Sequence, residues 1–123
     1  MKEKSIFSGA LFAAILLGLI VPMTLAAHPP GSITFVYNQS EQTLTVTIVH
    51  ETSSPGSHYI NKVILKKNGI PAGSYTYQNQ PASPEFSYSY KLPAKIGDAV
   101  EITASCNVRG SKTVKWVVQQ KLS

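Results

Sequence analysis

From residue 32 onward the chain alternates apolar and polar positions in short runs. Between residues 43 and 50, Leu44, Val46 and Ile48 share one parity while Thr43, Thr45 and Thr47 take the other. A two-residue period sends successive side chains to opposite faces of a strand. No segment after residue 28 holds the 3.6-residue period of an amphipathic helix. Seven strands are predicted, over residues 32–37, 43–50, 59–67, 73–78, 85–92, 99–106 and 112–118. The breaks between them carry turn chemistry, including Asn38 to Glu41, Ser53 to Ser57 with Pro55 and Gly56, Asn68-Gly69, Gln80 to Pro84, Gly97-Asp98 and Arg109-Gly110. Short strands with this punctuation predict an all-β fold, a seven-stranded antiparallel sandwich or barrel of immunoglobulin-like type. One such domain over residues 28–123 accounts for everything after the N-terminal segment.

Parity also predicts which side chains face the core. Besides Leu44, Val46 and Ile48, the inward sets are Val100, Ile102 and Ala104, then Phe86, Tyr88, Tyr90 and Leu92, then Val114, Trp116 and Val118. His50 continues the first set at the end of its strand, and Cys106 continues the second in the same way. Both residues therefore stand where an inward face runs out into a loop, the position at which the end of a sandwich can hold a site.

The first 27 residues read differently. Met1-Lys2-Glu3-Lys4 is a short basic start, residues 6–27 carry no charge, and Leu25-Ala26-Ala27 precedes His28. This is the pattern of a secretory signal peptide. A retained anchor is the competing reading, since about 20 apolar residues can span a bilayer; Pro22 and the small residues after it favour cleavage. In either case the domain is expected outside the cytoplasmic membrane, whether periplasmic, extracellular or on that membrane's outer face. Membrane contact is expected only through an uncleaved N-terminal segment.

Residues 28–123 contain nine Lys and Arg against five Asp and Glu. These charges are scattered, and the single basic stripe with interleaved aromatics of a nucleic-acid binder is absent. No nucleic-acid partner is expected; a mild attraction for small anions is. An exported domain of this size commonly gains stability from disulfides, but the chain has one cysteine. Cys106 is therefore a partner for intermolecular pairing, a reactive thiol, a metal ligand or a small buried hydrophobe.

The chain has three histidines, His28, His50 and His58. His50 and His58 flank the loop 51–57, so a hairpin there would return one toward the other. His28 precedes Pro29-Pro30, a stiff extended pair that directs its entry into the first strand. Imidazole and thiolate together suit iron, copper or zinc.

Three segments carry a resemblance: His28-Pro29-Pro30, the run from His50 through His58-Tyr59-Ile60, and Cys106-Asn107-Val108-Arg109-Gly110. In order and content they resemble the iron site of the superoxide reductase (desulfoferrodoxin, neelaredoxin) family. That family has an H-x-P element, a strand ending in His, a loop to HYI, and C-N-x-H-G near the C-terminus. The resemblance implies an immunoglobulin-like barrel, one non-haem ferrous iron (Fe2+), equatorial ligation by His28, His50 and His58, and an axial Cys106 thiolate. It also implies superoxide as the small anionic oxidant, its reduction to peroxide, and an electron donor of unknown identity. The loop 107–110 is expected to aim backbone N–H groups at the sulfur.

The chain departs from that pattern in three places. Arg109 stands where the family keeps a fourth histidine, and a guanidinium stays protonated and cannot ligate. It is the candidate for attracting the anion to the reaction. Ala26-Ala27 replaces the family's Glu-Lys, and the loop between His50 and His58 has seven residues.

A second family is similar in nearly the same places, the immunoglobulin-like subunit of the thiosulfate-oxidation sulfur carrier. It shares an H-[YF]-I strand, an Asn-Gly turn, an aromatic strand and a Gly-Asp turn, and implies a metal-free binding module. It does not require Cys106-Asn107, and its loop opens with His-Pro-Met where this chain has His50-Glu51-Thr52. A blue-copper site would need a His, and often a Met, soon after the cysteine; neither follows Cys106. Nucleophile-elbow and phosphate-loop motifs are absent.

Overall fold

The computed structural model describes residues 29–120. The segment read as an export signal, and His28 after it, lie outside the described residues. Seven strands form: β1 (Ser32–Asn38), β2 (Thr43–Val49), β3 (Ile60–Lys67), β4 (Ile70–Thr76), β5 (Glu85–Lys91), β6 (Ala99–Cys106) and β7 (Ser111–Val117). They build two antiparallel sheets, one ordered β1-β2-β5 and the other β4-β3-β6-β7. The described residues are thus an all-β, immunoglobulin-like sandwich.

Six strands begin and end within a residue or so of the expected bounds, because each alternating run stops at a turn signal. The exception is β4, which starts at Ile70, three residues before the expected 73. Asn68 and Gly69 have φ of 54° and 79°, and Lys67 pairs with Ile70 across them. Two successive left-handed residues make the tight turn whose twist suits a two-residue hairpin. Pairing therefore resumes at once, through Pro71, which an edge strand tolerates because one side of its backbone needs no ladder partner.

The core follows parity closely. Leu44, Val46 and Ile48 of β2, Val63 and Leu65 of β3 and Ala104 of β6 are fully buried, with Val100 and Ile102 of β6 nearly so. Each large aliphatic side chain here contributes about 1.5–3 kcal/mol by leaving water. Tyr88, Val114 and Trp116, expected inside, are only partly buried.

Aromatic side chains close both seams between the sheets. At one seam Phe35 and Tyr37 of β1 pack on Trp116 of β7, with ring centroids 5.0 and 5.5 Å apart. At the other, Tyr75 stacks on Tyr90 at 4.3 Å and Tyr77 on Tyr88 at 4.2 Å, while the hydroxyls of Tyr77 and Tyr90 are 2.7 Å apart. Burial pushes the Tyr88 hydroxyl up to about 12, with Tyr77 beside it adding to the effect.

One expectation needs correction. The loop 51–57 is not a hairpin, since β2 pairs with β1 and β5 while β3 pairs with β4 and β6. Both edges of β2 are already occupied, so the chain leaves its sheet after His50 and crosses to the other.

Candidate metal centre

The crossover decides how the donor residues meet. β2 delivers His50 at the end of its buried face, 1% exposed, on one sheet. β6 delivers Cys106 in the same way, 8% exposed, on the other sheet. After the crossover a tight turn forms in which Ser54 O accepts from Ser57 N at 3.0 Å and His58 N at 2.8 Å. It swings His58 back over the end of the sandwich, two residues before β3 begins. The rings of His50 and His58 meet edge to face, with centroids 4.9 Å apart at 86°.

One ligand atom from each of His50, His58 and Cys106 lies within 4.8 Å of the others. Two ligands on one ion, at about 2.0–2.1 Å for nitrogen and 2.3 Å for sulfur, can be no more than about 4.4 Å apart. That limit holds only for ligands opposite each other; at tetrahedral angles ligands stand about 3.3–3.6 Å apart, so a closing movement of about an ångström brings the three around one ion. Two imidazoles and a thiolate form a mixed nitrogen and sulfur set suited to a transition metal and foreign to calcium or magnesium. By geometry and chemistry, the residues present fit such an ion.

The surroundings hold this arrangement from behind. Gln80 is 4% exposed, and its Oε1 lies 2.9 Å from His50 Nδ1 while accepting from Ile60 N at 3.2 Å. Its Nε2 donates to His50 O at 2.7 Å and Ala82 O at 3.0 Å. Its backbone N–H donates to Pro55 O in the crossover loop. Asn107 secures the other side: its Oδ1 accepts from Tyr59 N at 2.9 Å and its Nδ2 donates to Ser57 O at 2.9 Å. The turn after Cys106 aims Val108 N at Sγ, 3.4 Å away, as expected of the loop 107–110. Such an N–H stabilises a thiolate and lowers its donor strength.

Gly110 closes the turn with φ 87°, a conformation side chains resist. A Cβ there would come within 3.0 Å of Pro29, so the chain directly after His28 is packed on the Cys106 loop. Arg109 is exposed on the same turn, three residues from the sulfur. Structure thus brings together His50, His58 and Cys106 of the expected residues, with Arg109 nearby; His28 lies outside the described residues. Sequence reading assigned Gln80 to a turn and missed its contact with His50. Thirty residues separate the two, and no local pattern marks a glutamine whose partners come from other segments.

No family model matches the chain, and no curated protein does either. Among solved structures it is similar to a superoxide reductase (neelaredoxin) from Ignicoccus hospitalis, at 14% identity and a TM-score of 0.46, over 73% of this chain and 80% of that one. Two variant forms of the same protein give 15% and 18% identity with TM-scores of 0.48 and 0.47. They cover 74% and 76% of this chain and 81% of theirs. At these values the likeness is a distant one of fold.

Proposed function

We propose that the protein is exported, holds one non-haem iron through His28, His50, His58 and Cys106, and reduces superoxide. The observation that carries the reading is the convergence of His50, His58 and Cys106, which arrive from two sheets and a crossover loop at one point. A sandwich that only needed to bury these residues has no reason to gather two imidazoles and its one thiol there. The ordered resemblance of the three sequence segments to the superoxide reductase pattern supports the choice of metal and substrate.

Bound there, ferrous iron would supply one electron to superoxide, which with two protons leaves as hydrogen peroxide; an external donor restores the electron. The protein's own residues prepare this chemistry. Cys106 offers an electron-rich sulfur, and the Val108 N–H tempers it. Gln80 and Asn107 hold the histidine-bearing segments against the strand ends. Arg109, exposed beside the sulfur-bearing turn, raises the local concentration of a small anion.

The test is metal content and visible absorption after anaerobic loading with ferrous iron and reoxidation. We expect one iron per chain and a thiolate-to-ferric charge-transfer band that disappears in Cys106→Ser. The loaded protein should consume superoxide in the presence of a reductant. A wild-type protein that takes up no iron would defeat this reading and leave the metal-free interaction module in its place.

A further inference from the structure

We infer that Gln80 is a positioning residue that fixes the tautomer of His50, placing its proton on Nδ1 and leaving the unprotonated Nε2 as the donor nitrogen. The orientation of the Gln80 amide follows from its backbone partners. One end meets the Ile60 N–H at 3.2 Å, and a backbone N–H can only donate, so that end is the oxygen. The other end meets two carbonyls, His50 O and Ala82 O at 2.7 and 3.0 Å, which can only accept, so that end is the NH2. A flipped amide would set N–H against N–H and oxygen against two oxygens, at buried atoms where unmade bonds cost most.

With Oε1 so identified, the ring atom 2.9 Å from it, His50 Nδ1, must be the donor. In the neutral ring, which carries one N–H, this puts the lone pair on Nε2, a buried atom of the ring that meets His58 edge to face. The same amide donates to the carbonyl of His50 itself, so ring and backbone are clamped together. Ligating histidines commonly have their second nitrogen held this way. Here the holder is a neutral amide in a loop of the chain unrelated to either strand that delivers a donor.

As far as iron is concerned, the inference rests on the reading proposed above; the tautomer does not. The first measurement is long-range proton–nitrogen NMR on protein stripped of metal with a chelator. His50 should show its proton on Nδ1. In Gln80→Met the signal should move toward the Nε2–H form, whereas Gln80→Glu, which keeps an acceptor at that point, should retain Nδ1–H. A merely structural glutamine would not separate the two variants in this way. The second measurement is ferrous-iron affinity by competition with a chromogenic chelator, where Gln80→Met should bind about 10- to 100-fold more weakly. A wild-type spectrum with the proton on Nε2 overturns the inference, even if neither variant folds. An unchanged tautomer and affinity in Gln80→Met overturn it as well. A wild-type protein with Nδ1–H but no iron uptake upholds the tautomer and defeats the iron reading alone.

Discussion

The two ends of the sandwich solve the same problem with opposite results. At the end away from the cluster, Asp98 is buried, and its carboxylate accepts from Asn68 Nδ2 at 3.0 Å and Lys95 N at 2.9 Å. Asn68 in turn accepts from Ala99 N, and Gln42 both accepts from Ala94 N and donates to Ala94 O. These polar side chains are spent on loop backbone and on one another. At the donor end, Gln80 and Asn107 do the same closing work. Yet His50, His58 and Cys106 there turn donor atoms toward a common point. Closing a sandwich end therefore does not by itself require such a cluster. The residues that distinguish this end are the ones with metal-binding chemistry.

This contrast can be broken most severely at the donor end. His50→Ala should abolish iron loading and also remove a partner from buried Gln80, costing about 2 kcal/mol of stability. Metal analysis together with urea unfolding would show both losses in one variant. Asn68→Ala, at the opposite end, should cost about 1–2 kcal/mol, because it deletes two hydrogen bonds and puts alanine at a left-handed φ. Iron content should stay unchanged in that variant, which separates end closure from donor placement.

A subtler difference concerns pH. The Asn68 amide, and next the backbone at Lys95, hold the Asp98 carboxyl below the usual carboxylate range. A lowered folded value means its stabilisation is complete above the unfolded value of about 3.9 and is lost as pH falls through the folded one. Asp98→Asn should accordingly flatten the fall in unfolding midpoint in acid below that range, with little change in the slope above it. The smallest effect is expected at Arg109. Arg109→Gln should slow superoxide consumption less than tenfold at low ionic strength, and the difference should vanish as salt is raised, with iron content intact. An equal deficit at high salt would assign Arg109 a direct role in the reaction in place of attraction at a distance.

Much of this architecture was legible in the chain. Period-two alternation found all seven strands, since one buried face per strand leaves its mark on every second residue. It also put His50 and Cys106 at the inward ends of β2 and β6. What it misplaced were features with no local signature. The start of β4 depended on two left-handed residues letting a proline-containing edge strand pair at once. The supposed hairpin between His50 and His58 depended on which strands already flanked β2. Gln80 depended on that crossover as well, because its partners lie in the His50 strand end, the crossover loop and the start of β3.

The amino-acid sequence by itself determined the strands, their buried faces and the stock of imidazole and thiol available to a site. Backbone stereochemistry and hydrophobic burial act residue by residue, so they can be read locally. Only the tertiary structure decided that three donors meet and that Gln80 holds His50. Those outcomes depend on sheet assignment and on loops crossing between sheets, where residues tens of positions apart come within hydrogen-bonding distance, a proximity that no sequence period encodes.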